Sequence, residues 1–417
     1  MRIIVLQTAG GPSASGDLGG GDRTFQLLAK QWTDMGIKVC LVTRSHYTAT
    51  GWPVSSEDVV ELGPKFSKDT FDNEWVIMSM LGFPLQRRNL DRFVTRHADS
   101  AKTYPTIVVS ISPSLSDVLA NIYISKHLGI PGIVYFHHLH MKPWVYPWRR
   151  GILRTSINWV LGAISIALCK IGNLHMSVGH PVEAREAYGL SPKNFFSFSS
   201  FVPIQSQCPE PVKRTIEACT LGRVTRPKGV IDLIRAWSLV VRKHPRARLV
   251  IAGRPPTLYL RRQISSLLRD LNIVDNVSLV GYLSSTGKQQ LLCSSKLFIS
   301  TSYEEGWSLS AMEAALAGAV PVLYELPAYE YLGDAAERVN LGDWRGVAES
   351  TLSLLSQDAL RESLSRAAIE TVRLYSPERT AREQLAIFDQ LSGEGPNASS
   401  NSQNTPLEPL WGDRKNR

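Results

Sequence analysis

Two doubly wound α/β domains, each a parallel sheet with crossover helices, are predicted for this chain by three observations. Its 417 residues are about twice what one ordinary core encloses, so two domains of roughly 150 to 200 residues are expected. Short apolar runs alternate with amphipathic stretches from the first residues onward, the pattern of a parallel sheet with helical crossovers. That alternation pauses once, around Pro203 to Pro211, where Gln205-Ser206-Gln207 and several prolines read as a linker, and then restarts.

In the first half, Ile3–Leu6, Val39–Val42, Ile107–Ser110 and Ile133–Phe136 are short apolar runs that read as buried strands. Between the first two, Phe25, Leu28, Trp32 and Met35 fall three or four apart. They set one apolar face on a helix that opens near Asp22 and stops at Gly36. In the second half, strands are expected at Cys219–Leu221, Ala247–Ala252, Val277–Val280, Leu297–Ser300 and Val320–Leu323, with helices such as Val230–Val241 and Tyr259–Leu271 between them. One last helix is expected over Glu378–Leu391, and the Ser-, Asn-, Pro- and Gly-rich remainder reads as disordered. No repeat recurs at a fixed period of about 20 to 50 residues.

The hydrophobic fraction of 43% and charged fraction of 20% fit a soluble globular protein. A formal net charge of +9 implies an anionic partner: phosphate groups, acidic lipid or nucleic acid, among which charge alone does not choose. Cys40, Cys169, Cys208, Cys219 and Cys293 are odd in number and scattered, with no CxxC pair and no zinc spacing. They read as buried thiols in a reducing compartment. Met1–Leu6 leads into a glycine-rich stretch without a small-residue cleavage site, so it reads as a first strand and the protein is expected in the cytoplasm.

The most informative stretch runs from Ser302 to Val322. A strand ends near Ser300, a glycine turn follows, and a helix begins near Ser308 and stops at Gly318. Such a turn aims free backbone N–H groups and the helix dipole at the crevice beyond the strand ends, where a diphosphate can sit. Glu305 and Glu313 are eight positions apart, about 12 Å along the axis if all between them were helical. They cannot serve one atom, but they suit the two ends of a nucleotide sugar. Upstream, Gly222-Arg223-Val224-Thr225-Arg226-Pro227-Lys228-Gly229 follows the first strand of the second domain. Arg can bind two phosphate oxygens at once and Lys adds a mobile point charge. A bare Glu-x7-Glu is usually two surface acids and a bare basic turn usually a solvated loop; on one edge of one sheet they make a site.

Together, Gly222-Arg223 with Lys228-Gly229, Glu305-Gly306 through Glu313-Ala314, and Gly318 with Pro321-Val322 resemble glycosyltransferase family 4, whose members are retaining enzymes of the GT-B fold. Ala252-Gly253, Gly281 and Tyr375-Ser376 also fit. The resemblance covers most of the second domain and, more weakly, the first. It implies two Rossmann-like domains facing a central cleft: an acceptor domain over 1–205, a donor domain over 206–375, a crossover helix over 376–392 returning to the first domain, and a disordered tail over 393–417.

The resemblance also implies roles. Arg223 and Lys228 would contact the donor diphosphate and stabilise it as it leaves. Glu305 would bind the transferred sugar and Glu313 the ribose, with Gly306, Trp307, Ser308 and Leu309 around the donor and Tyr282 and Leu283 facing the base. Where the family often has an acid after the glycine of the Ala252-Gly253 turn, this chain has Arg254-Pro255-Pro256. In the first domain, Gly19-Gly20-Gly21-Asp22-Arg23 is similar to the family's glycine-rich loop, which lets backbone approach the donor or acceptor closely. His137, the first histidine of His137-His138-Leu139-His140, matches by register the histidine near the sugar's reactive carbon. A metal reading of that cluster lacks Asp or Glu partners nearby, and none is implied.

The implied activity is transfer of a hexose from a UDP- or GDP-linked donor to a glycan or lipid-linked acceptor at the cytoplasmic membrane face, with no cofactor and no nucleic-acid partner. Rivals are a phosphorylase or epimerase on the same fold, and a non-catalytic scaffold. Trp144, Trp148, Arg149 and Arg150 precede the stretch Ile152–Ile171, whose apolar core, Ile157–Cys169, flanked by Arg154 and Lys170, is too short to span a bilayer. Leu153, Ile157, Val160, Leu161, Ile164, Leu168 and Ile171 share one helical face there. Core packing and docking on an anionic membrane both account for it.

Overall fold

The computed structural model describes residues 1–7, 20–43, 51–62, 74–137, 139, 142, 152–179, 184–185, 188–191, 195–197, 200–202, 208 and 213–393. The chain divides into two compact units. One is Met1–Ser200 with Pro377–Arg417, and the other is Phe201–Ser376.

The first unit contains β1 (Arg2–Gln7), α1 (Gly20–Asp34), β2 (Lys38–Thr43), β3 (Val59–Glu61), α2 (Glu74–Thr103), β4 (Thr106–Ser110), α3 (Leu115–Leu128), β5 (Gly132–Phe136), α4 (Ile152–Ile171), β6 (His175–Val178) and β7 (Phe196–Ser197). Its sheet has the order β3-β2-β1-β4-β5-β6-β7, with all neighbours parallel. β1, β4 and β5 are buried along their whole length. A strand covered on both faces reads as a continuous apolar run, which is why these three were legible.

The second unit contains β8 (Ile216–Leu221), α5 (Val230–Lys243), β9 (Leu249–Ala252), α6 (Leu258–Asp270), β10 (Val277–Gly281), α7 (Ser285–Ser294), β11 (Ser295–Ser300), α8 (Leu309–Leu316), β12 (Val320–Tyr324), β13 (Glu337–Val339), α9 (Trp344–Ser356) and α10 (Asp358–Arg373). Its parallel sheet has the order β10-β9-β8-β11-β12-β13. Both sheets thus start in the middle, grow to one edge and then reverse, the doubly wound order. Ligands of such sheets bind beyond the strand C-termini at the reversal, between β8 and β11 in the second unit.

The last helix, α11 (Pro377–Gly393), packs in the first unit. The buried Trp32 of α1 donates its indole N–H to the Ala381 carbonyl at 3.4 Å, and its ring centroid lies 5.7 Å from that of buried Phe388.

Two expectations are corrected. Cys208 and Cys293 form a disulfide with Cα atoms 5.7 Å apart, so the cysteines are not all thiols. Odd number and scatter concealed a pair that lies 85 residues apart in sequence and meets only in the fold. Cys40, Cys169 and Cys219 are buried free thiols, and burial pushes them up to about 11, 12 and 12. The predicted apolar face of α4 is also divided. Leu161 is buried, whereas Ile157, Val160, Ile164 and Ile171 are exposed at 42, 46, 42 and 74%. No helix among the described residues is long and apolar enough to cross a membrane. The expected linker lies almost wholly outside the described residues, as does the tail from 394 onward.

Candidate donor site

Three glycines close the ends of adjacent strands in the second unit: Gly222 after β8, Gly253 after β9 and Gly281 ending β10. Gly253 N–H donates to the Gly281 carbonyl at 2.7 Å and Gly222 N–H to the Ala252 carbonyl at 3.0 Å. A Cβ on Gly253 would stand 1.7 Å from the Gly222 carbonyl oxygen, and its φ is +141°. No side chain fits there, so the strand ends form a bare backbone shelf.

Gly229 does the same for the basic turn. Its φ is +69°, a Cβ there would lie 1.7 Å from the Thr301 carbonyl oxygen, and the Thr301 hydroxyl donates to the Gly229 carbonyl at 2.9 Å. Tyr303 N–H donates to the Pro227 carbonyl at 2.8 Å. These contacts press the turn after β8 onto the segment after β11, across the reversal of strand order. Lys228 is thereby brought to Glu305, Nζ to Oε1 at 2.7 Å, and donates also to the Glu304 carbonyl at 3.3 Å. Both side chains are largely enclosed, at 25 and 13% exposure. The sequence-predicted Lys228 and Glu305 therefore meet, 77 positions apart. Arg223 is exposed on the same turn. Arg226 is turned aside and donates to the Gln263 side-chain Oε1 at 2.6 Å.

The segment from Glu305 to Ser308 is not helical and α8 starts at Leu309, in agreement with the helix start expected near Ser308. Ser308 makes no side-chain cap bond, which leaves the first N–H groups of α8 to meet an anion with the positive end of the helix dipole. Trp307 does not face outward. It is 93% enclosed, stacked on Tyr331 at 5.3 Å, and its indole N–H donates to Met312 Sδ at 2.9 Å, so it braces the turn.

Glu313 on α8 accepts from Lys288 on α7 at 2.5 Å. Lys288 was missed from sequence; its one signal is its place four residues after Ser284, the cap of the helix that follows the Gly281 strand end. Tyr282 is exposed and Leu283 half-buried in the loop between. The unit thus presents two lysine–glutamate pairs at the C-terminal ends of its strands.

In the first unit, Gly19, His138 and His140 lie outside the described residues, and Gly20 is the first residue of α1. His137 directly follows β5, with its ring edge-on to Phe25 at 5.5 Å and against the first turn of α1 at Gly21. Burial lowers its pKa to about 4, against the opposing effect of a backbone hydrogen bond at Ile111, so the imidazole is neutral at pH 7. Of the docking residues, Trp144, Trp148, Arg149 and Arg150 lie outside the described residues.

Residues 205–371, nearly the whole second unit, match the family described as Glycosyl transferases group 1. The phosphatidyl-myo-inositol mannosyltransferase of Mycolicibacterium smegmatis is 24% identical over 271 residues, 64% of this chain and 66% of that protein. The poly(ribitol-phosphate) alpha-N-acetylglucosaminyltransferase of Staphylococcus aureus is 27% identical over 205 residues, 47% of this chain and 40% of that protein. The chain thus matches less than two thirds of the length of these relatives. Among solved structures, Anabaena Alr3699/HepE in complex with UDP and glucose is similar with a TM-score of 0.68 at 14% identity, over 94% of this chain and all of that one. Sucrose-phosphate synthase from Thermosynechococcus elongatus is similar with a TM-score of 0.73 at 18% identity, over 94% of this chain and 99% of that one. At such identities the likeness establishes the fold: two Rossmann-like units of the GT-B architecture.

Proposed function

We propose that this chain is a retaining glycosyltransferase that moves a hexose from a UDP- or GDP-linked donor to a glycan or lipid-linked acceptor at the cytoplasmic face of a membrane. The observation that carries the reading is the Lys228–Glu305 pair, fixed at the reversal of the second sheet beside an uncapped helix start. A cation, open N–H groups and a carboxylate suit a diphosphate joined to a sugar. Arg223 and Lys228 meet the charge that grows on the leaving diphosphate. Glu305 accepts from hydroxyls of the transferred sugar and Glu313 from the ribose diol, while Tyr282 and Leu283 face the base. His137, neutral at pH 7, orients the donor sugar; the family resemblance alone assigns it there.

The acceptor hydroxyl attacks from the face that the leaving group departs, and a donor phosphate oxygen takes its proton. The reading calls for no cofactor and no metal. Relatives named for phosphatidyl-myo-inositol, poly(ribitol-phosphate) and a diphosphopolyprenol support a phosphate-bearing or lipid-linked acceptor. The exposed Ile157, Val160, Ile164 and Ile171 ridge on α4 supports peripheral attachment.

A thermal-shift screen against UDP, GDP, ADP and their sugars tests this. A ligand at 100 times its Kd adds about 2.7 kcal/mol to stability. Stabilisation by a uridine or guanosine diphosphate sugar is expected. No shift with any nucleotide would favour the scaffold reading.

A further inference from the structure

The +9 net charge is not spread over the molecule. Residues 233–269 hold nine basic side chains and no Asp or Glu, so the other 380 residues balance 37 cations against 37 anions. The stretch comprises most of α5, β9 and most of α6. All nine basic residues, Arg235, Arg242, Lys243, Arg246, Arg248, Arg254, Arg261, Arg262 and Arg269, are exposed. Arg235 lies 3.8 Å from Asp232, and Arg248 donates to the Thr215 carbonyl. The other seven have no ion pair among the described residues.

We propose that the side of α6 that carries Arg261, Arg262 and Arg269 docks on an anionic phospholipid bilayer, an inference that adds a second surface to the membrane attachment proposed above. Two observations select a bilayer over a small anion. First, the charge extends along the layer: Arg261, Arg262 and Arg269 line one side of α6 with Leu258 and Ser265, and Leu258 to Arg269 spans about 16 Å at helical rise. Second, the helix start carries Leu258 at 76% exposure and Tyr259 at 48% beside the guanidinium groups. Cations with an apolar and an aromatic side chain at one level are what an interfacial helix presents to headgroups and the acyl boundary. Guanidinium groups also pair bidentately with phosphodiesters.

The surface is distinct from the α4 ridge, and its test needs neither donor nor turnover. The intact chain is sedimented with phosphatidylglycerol/phosphatidylcholine vesicles and with pure phosphatidylcholine vesicles across a salt series. The account expects binding to the anionic vesicles only, falling with salt. Arg261→Gln/Arg262→Gln/Arg269→Gln should weaken it about a hundredfold, near fivefold per guanidinium, with an unchanged melting temperature because the groups are exposed and unpaired. Parental binding by that variant would overturn the proposal. So would loss of binding confined to Ile157→Asn/Val160→Asn/Ile164→Asn, which would leave attachment to the first unit alone. Capture of a DNA duplex with no uptake on vesicles would overturn it too.

Discussion

The Gly21 backbone lies against the His137 imidazole: a Cβ at position 21 would stand 3.0 Å from Cδ2 and 3.1 Å from Nε2. Position 21 is in the first turn of a helix, where Ala is otherwise the better residue. Gly21→Ala should therefore displace the ring, with the helix preference for Ala offsetting part of the strain on the buried imidazole, and turnover should fall about tenfold or more, because small misplacements near reacting groups are costly. Nucleotide binding should persist. Parental turnover in this variant would remove His137 from the reaction.

The same burial predicts a pH dependence of stability. His137 and His97 both have folded pKa values of about 4, His97 through burial first and then the Arg2 charge. Their unfolded values are about 6.5. Between those limits the unfolded chain binds more protons, so the stability present above pH 6.5 is lost as pH falls toward 4. Melting temperature should be flat near pH 7 to 8 and drop between pH 6.5 and 4, with a shallower drop in His137→Asn. An identical pH profile in that variant would contradict the neutral imidazole.

Lys288 was invisible in the sequence yet neutralises Glu313. Lys288→Met leaves a carboxylate of 13% exposure without its cation, so the donor KM should rise about tenfold with kcat little changed. Lys288→Arg should restore much of the affinity. An unaltered KM in Lys288→Met would show that Glu313 does not depend on the pair.

Alkylation counts test the disulfide. Cys40, Cys169 and Cys219 are buried with raised pKa values and should resist labelling in the native protein. Unfolding without reductant should expose three thiols, and reduction five. Five before reduction would mean that Cys208 and Cys293 are apart or reduced.

Most of the fold was legible because buried parallel strands are continuous apolar runs, as in Ile3–Leu6 and Ile107–Ser110. Four strands went unread. Val59–Glu61, Phe196–Ser197 and Glu337–Val339 are short and lie at sheet edges, where one face sees solvent. His175–Val178 is interior but only four residues long, with a His and a Ser breaking its apolar run. In the site, Arg223, Lys228 and Glu305 were legible because glycines flank them. Lys288 was not, since what marks it is a partner 25 residues away. The apolar face of α4 was legible but whether it is covered was not, because period gives the apolar face of a helix but not what packs on it.

The most direct test of the account is the turnover of Lys228→Ala, beside Arg223→Ala, with a nucleotide sugar that stabilises the parent. A cation placed opposite developing charge acts chiefly in the transition state, and removing one such group typically costs about 100- to 1000-fold in rate. The account predicts that loss in folded protein, with Glu313→Ala acting instead on donor KM. Parental turnover and parental donor affinity in all three variants would contradict it, and the strand ends of the second unit would then not be a donor site.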